Sequence, residues 1–105
     1  MARKKFSTLT EPMFYLLMSL IRGDKCGIDI SDYILRKSRG RVQLGPGTLY
    51  ALLAEFEKES IIKYVGIDGK RKIYSITELG WKIYNDELLR LRQCIADAEE
   101  GDENE

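Results

Sequence analysis

Apolar residues recur at helical spacing in the segment TEPMFYLLMSLIRG, residues 10–23. Thr10 can cap its N-terminus, Pro12 suits its first turn and Gly23 can end it. One apolar stripe comprises Phe14, Leu17, Met18 and Ile21, and a second comprises Met13, Leu16 and Leu20. A helix that is apolar on two faces must be covered on both, so we expect a second copy of this small chain to cover the second stripe.

Two more helices are predicted before residue 60. In GIDISDYILRKSRG, Ile30, Tyr33 and Ile34 point inward, and the segment ends in the basic string RKSRGR. The following segment, GPGTLYALLAEFEKES, has apolar residues at i, i+3, i+4, i+7 spacing. These residues are Leu49, Leu52, Leu53 and Phe56. We therefore expect a second helix with a basic C-terminal end and a third helix whose Leu/Phe stripe faces the core.

The hydrophobic pattern then changes to that of a β-hairpin and returns to a helix. Two β-rich arms, IIKYVGI and KRKIYSIT, are joined by Asp68-Gly69, a strong signal for a tight turn. Thr77 can cap a last helix that continues to about Ala98. Its apolar positions are spaced alternately by three and four residues, which is typical of a coiled-coil seam. The seam comprises Trp81, Tyr84, Leu88, Leu91, Ile95 and Ala98.

This order of elements predicts a mainly α protein with a small β-hairpin, a winged helix-turn-helix followed by a long C-terminal dimerisation helix. Residues 1–77 are predicted to form the DNA-binding domain with a basic N-terminal arm. Residues 78–98 are predicted to form the dimerisation helix, and residues 99–105 an acidic disordered tail.

The net charge of zero conceals a strong asymmetry. Residues 1–92 contain all 17 Lys and Arg but 11 Asp and Glu, a net charge of +6, whereas residues 93–105 carry −6. A basic body is compatible with a polyanionic partner even though the average charge is not.

Several classes of chemistry lack their usual residues. The chain has no histidine and no CxxC motif, so neither a transition-metal site nor any other cofactor is expected. No nucleophile–base pair is apparent, which argues against an enzyme. The apolar run from Met13 to Ile21 is too short to span a membrane, and Cys26 and Cys94 do not form a disulfide framework. We therefore expect a cytoplasmic protein.

The start of the third helix has the features of a surface that approaches a nucleic acid. With the Leu/Phe stripe buried, Gly47, Thr48, Tyr50, Ala51 and Ala54 fall on the outward face. In a winged helix-turn-helix the N-terminal residues of this helix lie nearest the bases. Glycines permit close approach of the backbone, and hydroxyl groups can donate to phosphates or base edges. The acidic residues of the second half would be repelled by DNA.

Basic residues elsewhere converge on the same face in this fold. The candidate DNA-binding residues are Lys5, Arg36, Lys37, Arg39, Arg41, Gly47, Thr48, Tyr50, Lys70, Arg71 and Lys72. Taken singly, each feature has a structural explanation: glycine and proline punctuate helix starts, cations suit helix C-termini, and lysines protect strand edges. Their coincidence on one face favours double-stranded DNA as the partner.

Four motifs together resemble the PadR family of bacterial transcriptional regulators, in its subgroup with one C-terminal helix. They are LTEPMFYLLMSL, CGIDI, GPGTLYALLAEFEKESII and DGKRKIYSITELG. The resemblance implies a homodimeric regulator, usually a repressor, that reads a pseudo-palindromic operator. It also implies recognition-helix contacts at Gly47, Thr48 and Tyr50 and wing contacts at Lys70–Lys72. This chain departs from the family at Ala51, where many members have a basic residue, and also at Ile28 and Trp81.

The resemblance places the dimer contact between the last helix and the first helix of the partner. The expected interface residues are Met13, Leu16, Leu20, Trp81, Tyr84, Leu88, Leu91 and Ile95. Family members often release DNA when they bind a small aromatic molecule, and Trp81, Tyr84, Met13 and Phe14 could line a cavity for such an effector. Aromatic residues on a seam more often serve packing, which is the favoured interpretation.

Two other classes of protein compete with a DNA-binding regulator. A winged-helix protein–protein interaction module, such as an adaptor or anti-activator, would use the same fold without specific DNA binding. It has no need of the converging basic residues. An enzyme is disfavoured by the absence of catalytic constellations. Repression and activation are both compatible with the sequence.

Overall fold

The computed structural model describes Phe6 and residues 8–102. Lys5, proposed above as a DNA contact, and residues 103–105 of the predicted tail lie outside the described residues. The elements are α1 (Glu11–Ile21), β1 (Lys25–Cys26), α2 (Gly27–Lys37), α3 (Pro46–Lys58), β2 (Ile62–Asp68), β3 (Arg71–Ile76) and α4 (Glu78–Glu100). The predicted winged helix-turn-helix with a long last helix is therefore confirmed.

Helices α1 and α4 begin directly after the capping residues that were predicted from the sequence. The hydroxyl of Thr10 accepts a hydrogen bond from the Met13 N–H at 3.4 Å, and that of Thr77 accepts one from the Gly80 N–H at 3.0 Å. Each bond satisfies an amide that the first helical turn leaves without a partner. Both helix starts inferred from the sequence are thus where their caps place them.

The sheet has three strands in the order β1-β3-β2. The antiparallel β2–β3 hairpin turns at Asp68-Gly69, and Gly69 has the positive φ of 66° that such a turn requires. Strand β1 was not predicted from the sequence. It has two residues, too few for a periodic pattern, and its extended form depends on pairing with Tyr74 and Ile73 of β3.

The core lies between the three short helices and the base of the sheet. Its fully buried side chains include Phe56, Leu17, Ile30, Ile34, Leu53, Ile61 and Ile62. The predicted inward residues of α2, and three of the four predicted for α3, are buried; Leu52 is half-buried. Spacing of apolar residues was therefore a sufficient guide to the inner face of these two helices.

For α1, the assignment of faces needs correction. Leu16 and Leu20 are 0% and 2% exposed within the chain itself, so they are core residues and offer no surface to a second chain. Helix α1 packs against α2, α4 and β3 of its own chain. Phe14, Met18 and Ile21, on the other stripe, keep part of their surface accessible.

Helix α4 runs two residues beyond its predicted end. It continues through Glu99 and Glu100 to Gly101, whose φ of 76° ends the helix. The predicted start of the disordered tail at residue 99 is therefore wrong, because these acidic residues extend an exposed helical turn. Across the described residues, no helix combines the length and apolarity needed to cross a membrane.

The base of α4 is fastened to the end of α3. Thr77 donates from its hydroxyl to the carbonyls of Ser60 and Ile61 at 2.7 and 2.8 Å, and its N–H also bonds the Ile61 carbonyl. Gly80 is buried directly against Ile61 and Ile76. This joint sets the direction in which α4 leaves the winged helix-turn-helix.

Candidate nucleic-acid interface

The exposed face of α3 begins at its N-terminus. Gly45 is the N-cap residue of α3, so no side chain caps this helix. Pro46 lies in the first turn. The face predicted to point outward is exposed throughout, and it comprises Gly47, Thr48, Tyr50, Ala51 and Ala54. The residues of this first turn are exposed, and the free amides at a helix N-terminus favour an anionic partner.

Tyr50 and the wing face each other across a cleft of about 340 Å³. The start of α2 and three consecutive cations of the wing also line this cleft. Its lining residues are Cys26, Gly27, Ile28, Tyr50, Lys70, Arg71, Lys72 and Tyr74. The structure thus brings together four of the predicted DNA-binding residues, one from α3 and three from the wing.

Lys72 is held by aromatic rings on the hairpin. Its ammonium group lies 5.2 Å from the centre of the Tyr64 ring and 5.8 Å from that of Tyr74. Tyr64 and Tyr74 are paired across β2 and β3. Such cation–π contacts restrict a flexible lysine while leaving its charge available to an anion.

The basic string after α2 divides into two groups. Arg36, Lys37 and Arg39 are exposed, and the Arg36 guanidinium lies 5.9 Å from the Tyr33 ring centre. Arg41 instead forms an ion pair with Glu11 and donates to the Tyr15 hydroxyl at 2.9 Å. The hydrogen bond from Arg41 to Glu11 raises the pKa of the guanidinium. Arg41 thus has partners at the start of α1 and does not line the cleft.

Helix α4 displays apolar side chains along its outer length. Trp81 and Ile95 are 43% and 56% exposed, and Leu88 and Leu91 are half-buried. Tyr84 stacks on Phe14 of the same chain with ring centres 4.8 Å apart, and burial raises its pKa. Leu89, 62% exposed, was missed because it lies outside the three–four spacing.

A buried carboxylate was also missed. Glu87 is 3% exposed, and its carboxylate accepts a hydrogen bond from Arg90 Nε at 3.0 Å and one from the Leu9 backbone N–H. The Arg90 hydrogen bond is the main reason that the pKa of Glu87 is lowered. A glutamate on a long helix is expected to be solvent-exposed. The sequence feature that indicated an ion pair was Arg90, three residues later.

The remaining candidate chemistry is sparse. Cys26 is buried, Cys94 is exposed, and both are free thiols. Within the described part of the chain, no three His, Cys, Asp or Glu side chains cluster closely enough to hold a metal ion.

Known proteins are similar to this chain in sequence and in fold. Residues 16–86 match the model of the transcriptional regulator PadR-like family. An uncharacterized protein of Lysinibacillus sphaericus is 35% identical over 79 residues, which cover 71% of this chain and 72% of that protein. A transcriptional regulator from Clostridium thermocellum is 30% identical with a TM-score of 0.72, covering 84% of this chain and 89% of that one.

A further structural neighbour is PadR of Bacillus subtilis, solved in complex with operator DNA. It is 24% identical, with a TM-score of 0.65, over 72% of this chain and 45% of the longer PadR chain. At 24% identity, this similarity shows that the two chains have a similar fold. The family match covers well over half of the sequence and agrees with the fold and with the exposed start of α3. The chain therefore belongs to the PadR-like family of transcriptional regulators.

Proposed function

We propose that the protein is a homodimeric DNA-binding repressor that reads a pseudo-palindromic operator. The observation that carries the proposal is the cleft in which Tyr50 of α3 faces Lys70, Arg71 and Lys72 of the wing. A recognition helix in the major groove and a basic wing on the neighbouring phosphates would both touch one duplex from this arrangement. Such a regulator acts on chromosomal DNA, so we propose that the protein is cytoplasmic.

Bacillus subtilis PadR, which has a similar fold, was solved in complex with operator DNA, and this supports DNA as the partner. Transferred to this chain, the proposal assigns base-edge contacts to Thr48 and Tyr50 and backbone approach to Gly47. The basic residues Arg36, Lys37, Arg39 and the wing cations would bind phosphates. Arg41 is left out, because its guanidinium already has Glu11 and Tyr15 as partners.

Dimerisation is proposed through the outer face of α4. Half-buried and exposed apolar side chains lie along this helix. A second copy of the chain packed against them would bury this apolar surface away from water. The proposed interface comprises Trp81, Leu88, Leu91 and Ile95, together with Met13 and Tyr84 where they remain accessible. Two recognition helices related by a two-fold axis would then meet two operator half-sites, which is the reason for expecting a pseudo-palindrome.

We also propose that a small aromatic molecule acts as an effector. Phe14, besides stacking on Tyr84, lines a cleft of about 330 Å³ between α1 and α4. A planar ligand that entered there would disturb the contact between these helices. Release of bound DNA by simple phenols or aromatic acids would be the sign of such an effector.

The test of the main proposal is fluorescence anisotropy with DNA from upstream of the protein's own gene, with a scrambled duplex as control, across a salt series. We expect preference for the upstream DNA and an affinity that falls steeply with salt, because phosphate contacts release counterions. Binding to neither duplex at low salt would contradict the proposal. The adaptor hypothesis would then be tested with a pull-down.

A further inference from the structure

Gly27, the first residue of α2, occupies an unusual position beside the recognition helix. It is buried, and it does not have the positive φ found at Gly23, Gly40 and Gly69. The backbone conformation therefore gives no reason for glycine. The reason lies in space: a Cβ atom at residue 27 would be 2.5 Å from Tyr50 Oη, 2.8 Å from Cζ and 2.9 Å from Cε1.

These distances describe how Tyr50 is oriented. The outer end of its ring lies against the Cα of Gly27, although half of the side chain, 50%, is exposed. The ring therefore reaches from α3 to the start of α2, and Tyr50 and Gly27 line the same cleft as Lys70–Lys72. Any other residue at position 27 would occupy the place where the ring now lies.

The space at Gly80 differs in what an added methyl group would meet. There the neighbours are the backbone carbonyl of Ile61, which cannot move without displacing the chain, and the half-buried Ile76 side chain, which is packed against the core. At Gly27 the neighbour is the far end of a half-exposed side chain, which can rotate about its χ angles. An added methyl group at residue 27 would consequently move Tyr50 and leave the fold intact.

We propose that Gly27 is a positioning residue for DNA binding: its missing side chain lets the Tyr50 ring lie on the start of α2, where its hydroxyl group is presented to DNA beside the wing. The inference rests on the proposed function, and it adds a residue that does not need to touch DNA itself. A ring of fixed orientation loses less conformational freedom on binding than one that must be ordered by the ligand.

The experiment is a double-mutant cycle of Gly27→Ala and Tyr50→Ala in the full chain. Gly66→Ala is the matched control, because residue 66 has open space around it and no positive φ. Affinity for the upstream duplex is measured by anisotropy across a salt series, and the melting temperature by circular dichroism. Gly27→Ala should weaken binding by roughly tenfold in the natural background, the effect of removing about one good side-chain hydrogen bond to DNA.

Three further results are expected if Gly27 acts through Tyr50. In the Tyr50→Ala background, Gly27→Ala should change affinity by less than about twofold, because coupled residues are not additive. The dependence of affinity on salt should keep its slope, since no charge is removed. The melting temperature of Gly27→Ala should fall little, and Gly66→Ala should leave binding unchanged.

The ring itself can be followed with 3-fluorotyrosine labelling and ¹⁹F NMR of the free protein. The resonance of Tyr50, identified by its disappearance in Tyr50→Phe, should shift in Gly27→Ala and stay in place in Gly66→Ala. An unchanged resonance, or equal losses of affinity in both backgrounds of the cycle, would overturn the proposal. If Gly27→Ala unfolds the chain, refolding by the added Tyr50→Ala supports the ring contact, and failure to refold refutes it.

Failure of this inference is distinguishable from failure of the proposed function. If the natural protein binds neither duplex, the repressor proposal fails and the DNA role of Gly27 fails with it. If the natural protein prefers the upstream DNA and Gly27→Ala binds equally well, only the positioning role of Gly27 is refuted.

Discussion

At Gly80, helix α4 passes so close to the chain leaving α3 that a side chain has no room. An added Cβ would lie 2.6 Å from Ile76 Cγ1 and would also meet the Ile61 carbonyl oxygen. The same carbonyl accepts hydrogen bonds from Thr77. A single residue type thus determines how tightly the long helix is joined to the DNA-binding domain.

We expect Gly80→Ala to lower the free energy of unfolding by about 1–3 kcal/mol, because overpacking a rigid site displaces backbone. Urea denaturation followed by circular dichroism measures this. Gly66→Ala, which adds the same methyl group in open space, should change stability by less than about 0.5 kcal/mol. Equal stability of the natural protein and Gly80→Ala would show that this joint can relax.

Glu87 contributes a pH-dependent contact between α4 and the segment before α1. The hydrogen bond from Arg90 is the largest cause of its lowered pKa, burial opposes it, and the Arg90 charge and the Leu9 N–H add to it. A carboxylate whose pKa is lower in the folded state stabilises the fold above its ordinary pKa of 4.5 and loses this effect as pH falls through the folded value.

Accordingly, Glu87→Gln should destabilise the protein at pH 7 by about 1 kcal/mol, the net worth of a charge-assisted hydrogen bond in a partly exposed pair. The difference from the natural protein should shrink as the pH falls below 4.5. Urea denaturation at several pH values measures it. Glu57→Gln, at an exposed position of α3, is the control, and a constant difference at all pH values would contradict the prediction.

Among the elements, the wing is an antiparallel hairpin that presents three consecutive cations. Strand β3 lies between β1 and β2, so the hairpin is anchored to the segment that precedes α2. The turn at Gly69 presents Lys70, Arg71 and Lys72 in sequence, and Tyr64 and Tyr74 hold the last of them. The wing thus places positive charge at a defined position. In the proposed complex these cations would bind phosphates without reading the base sequence.

Replacing Lys72 with Ala should weaken binding to the upstream and scrambled duplexes by similar factors, because a phosphate contact is blind to sequence. The slope of log affinity against log salt should become shallower by about 0.9, the value for one phosphate that is no longer neutralised. Anisotropy titrations at four salt concentrations measure this slope. Lys82→Ala removes an equal charge on α4, paired there with Asp86, and should leave the slope unchanged.

Over the whole molecule, the proposed DNA surface and the proposed dimer surface lie on different parts of the fold. The first involves α3 and the wing, and the second involves the outer length of α4. They are connected through the Thr77 and Gly80 joint, where α4 meets the end of α3. A change in the angle between two α4 helices would therefore alter the separation of the two recognition helices.

Leu88→Asp combined with Leu91→Asp should convert a dimer to folded monomers, because the interface would bury two carboxylates without partners. Gln93→Asp combined with Ala96→Asp adds the same charges at exposed positions off the seam and should leave the dimer intact. Sedimentation velocity measures the molecular mass, and blue-shifted fluorescence of the single Trp81 reports its burial in the dimer. A dimer that survives the first double substitution would exclude this face of α4.

The main helices, the hairpin and the outward face of α3 could be inferred from the amino-acid sequence. These features depend on local periodicity, on caps at Thr10 and Thr77, and on the Asp68-Gly69 turn, all of which act over a few residues. The third helix could be assigned an inner and an outer side because its Leu/Phe stripe is narrow. The family motifs added the expectation of a DNA-binding regulator.

Which surfaces are covered, and which side chains contact each other across elements, depends on how the whole chain packs. All four apolar residues Phe14, Leu16, Met18 and Leu20 lie on predicted stripes of α1, but Leu16 and Leu20 alone are fully covered when α1 packs against α2, α4 and β3. The pairing of β1 with β3, the burial of Glu87, the Arg41–Glu11 ion pair and the Tyr50 ring on Gly27 all join residues distant in sequence or hidden from periodicity. Such contacts form when whole helices and strands pack together. Local sequence patterns therefore do not identify the contacting residues, and the packed arrangement does.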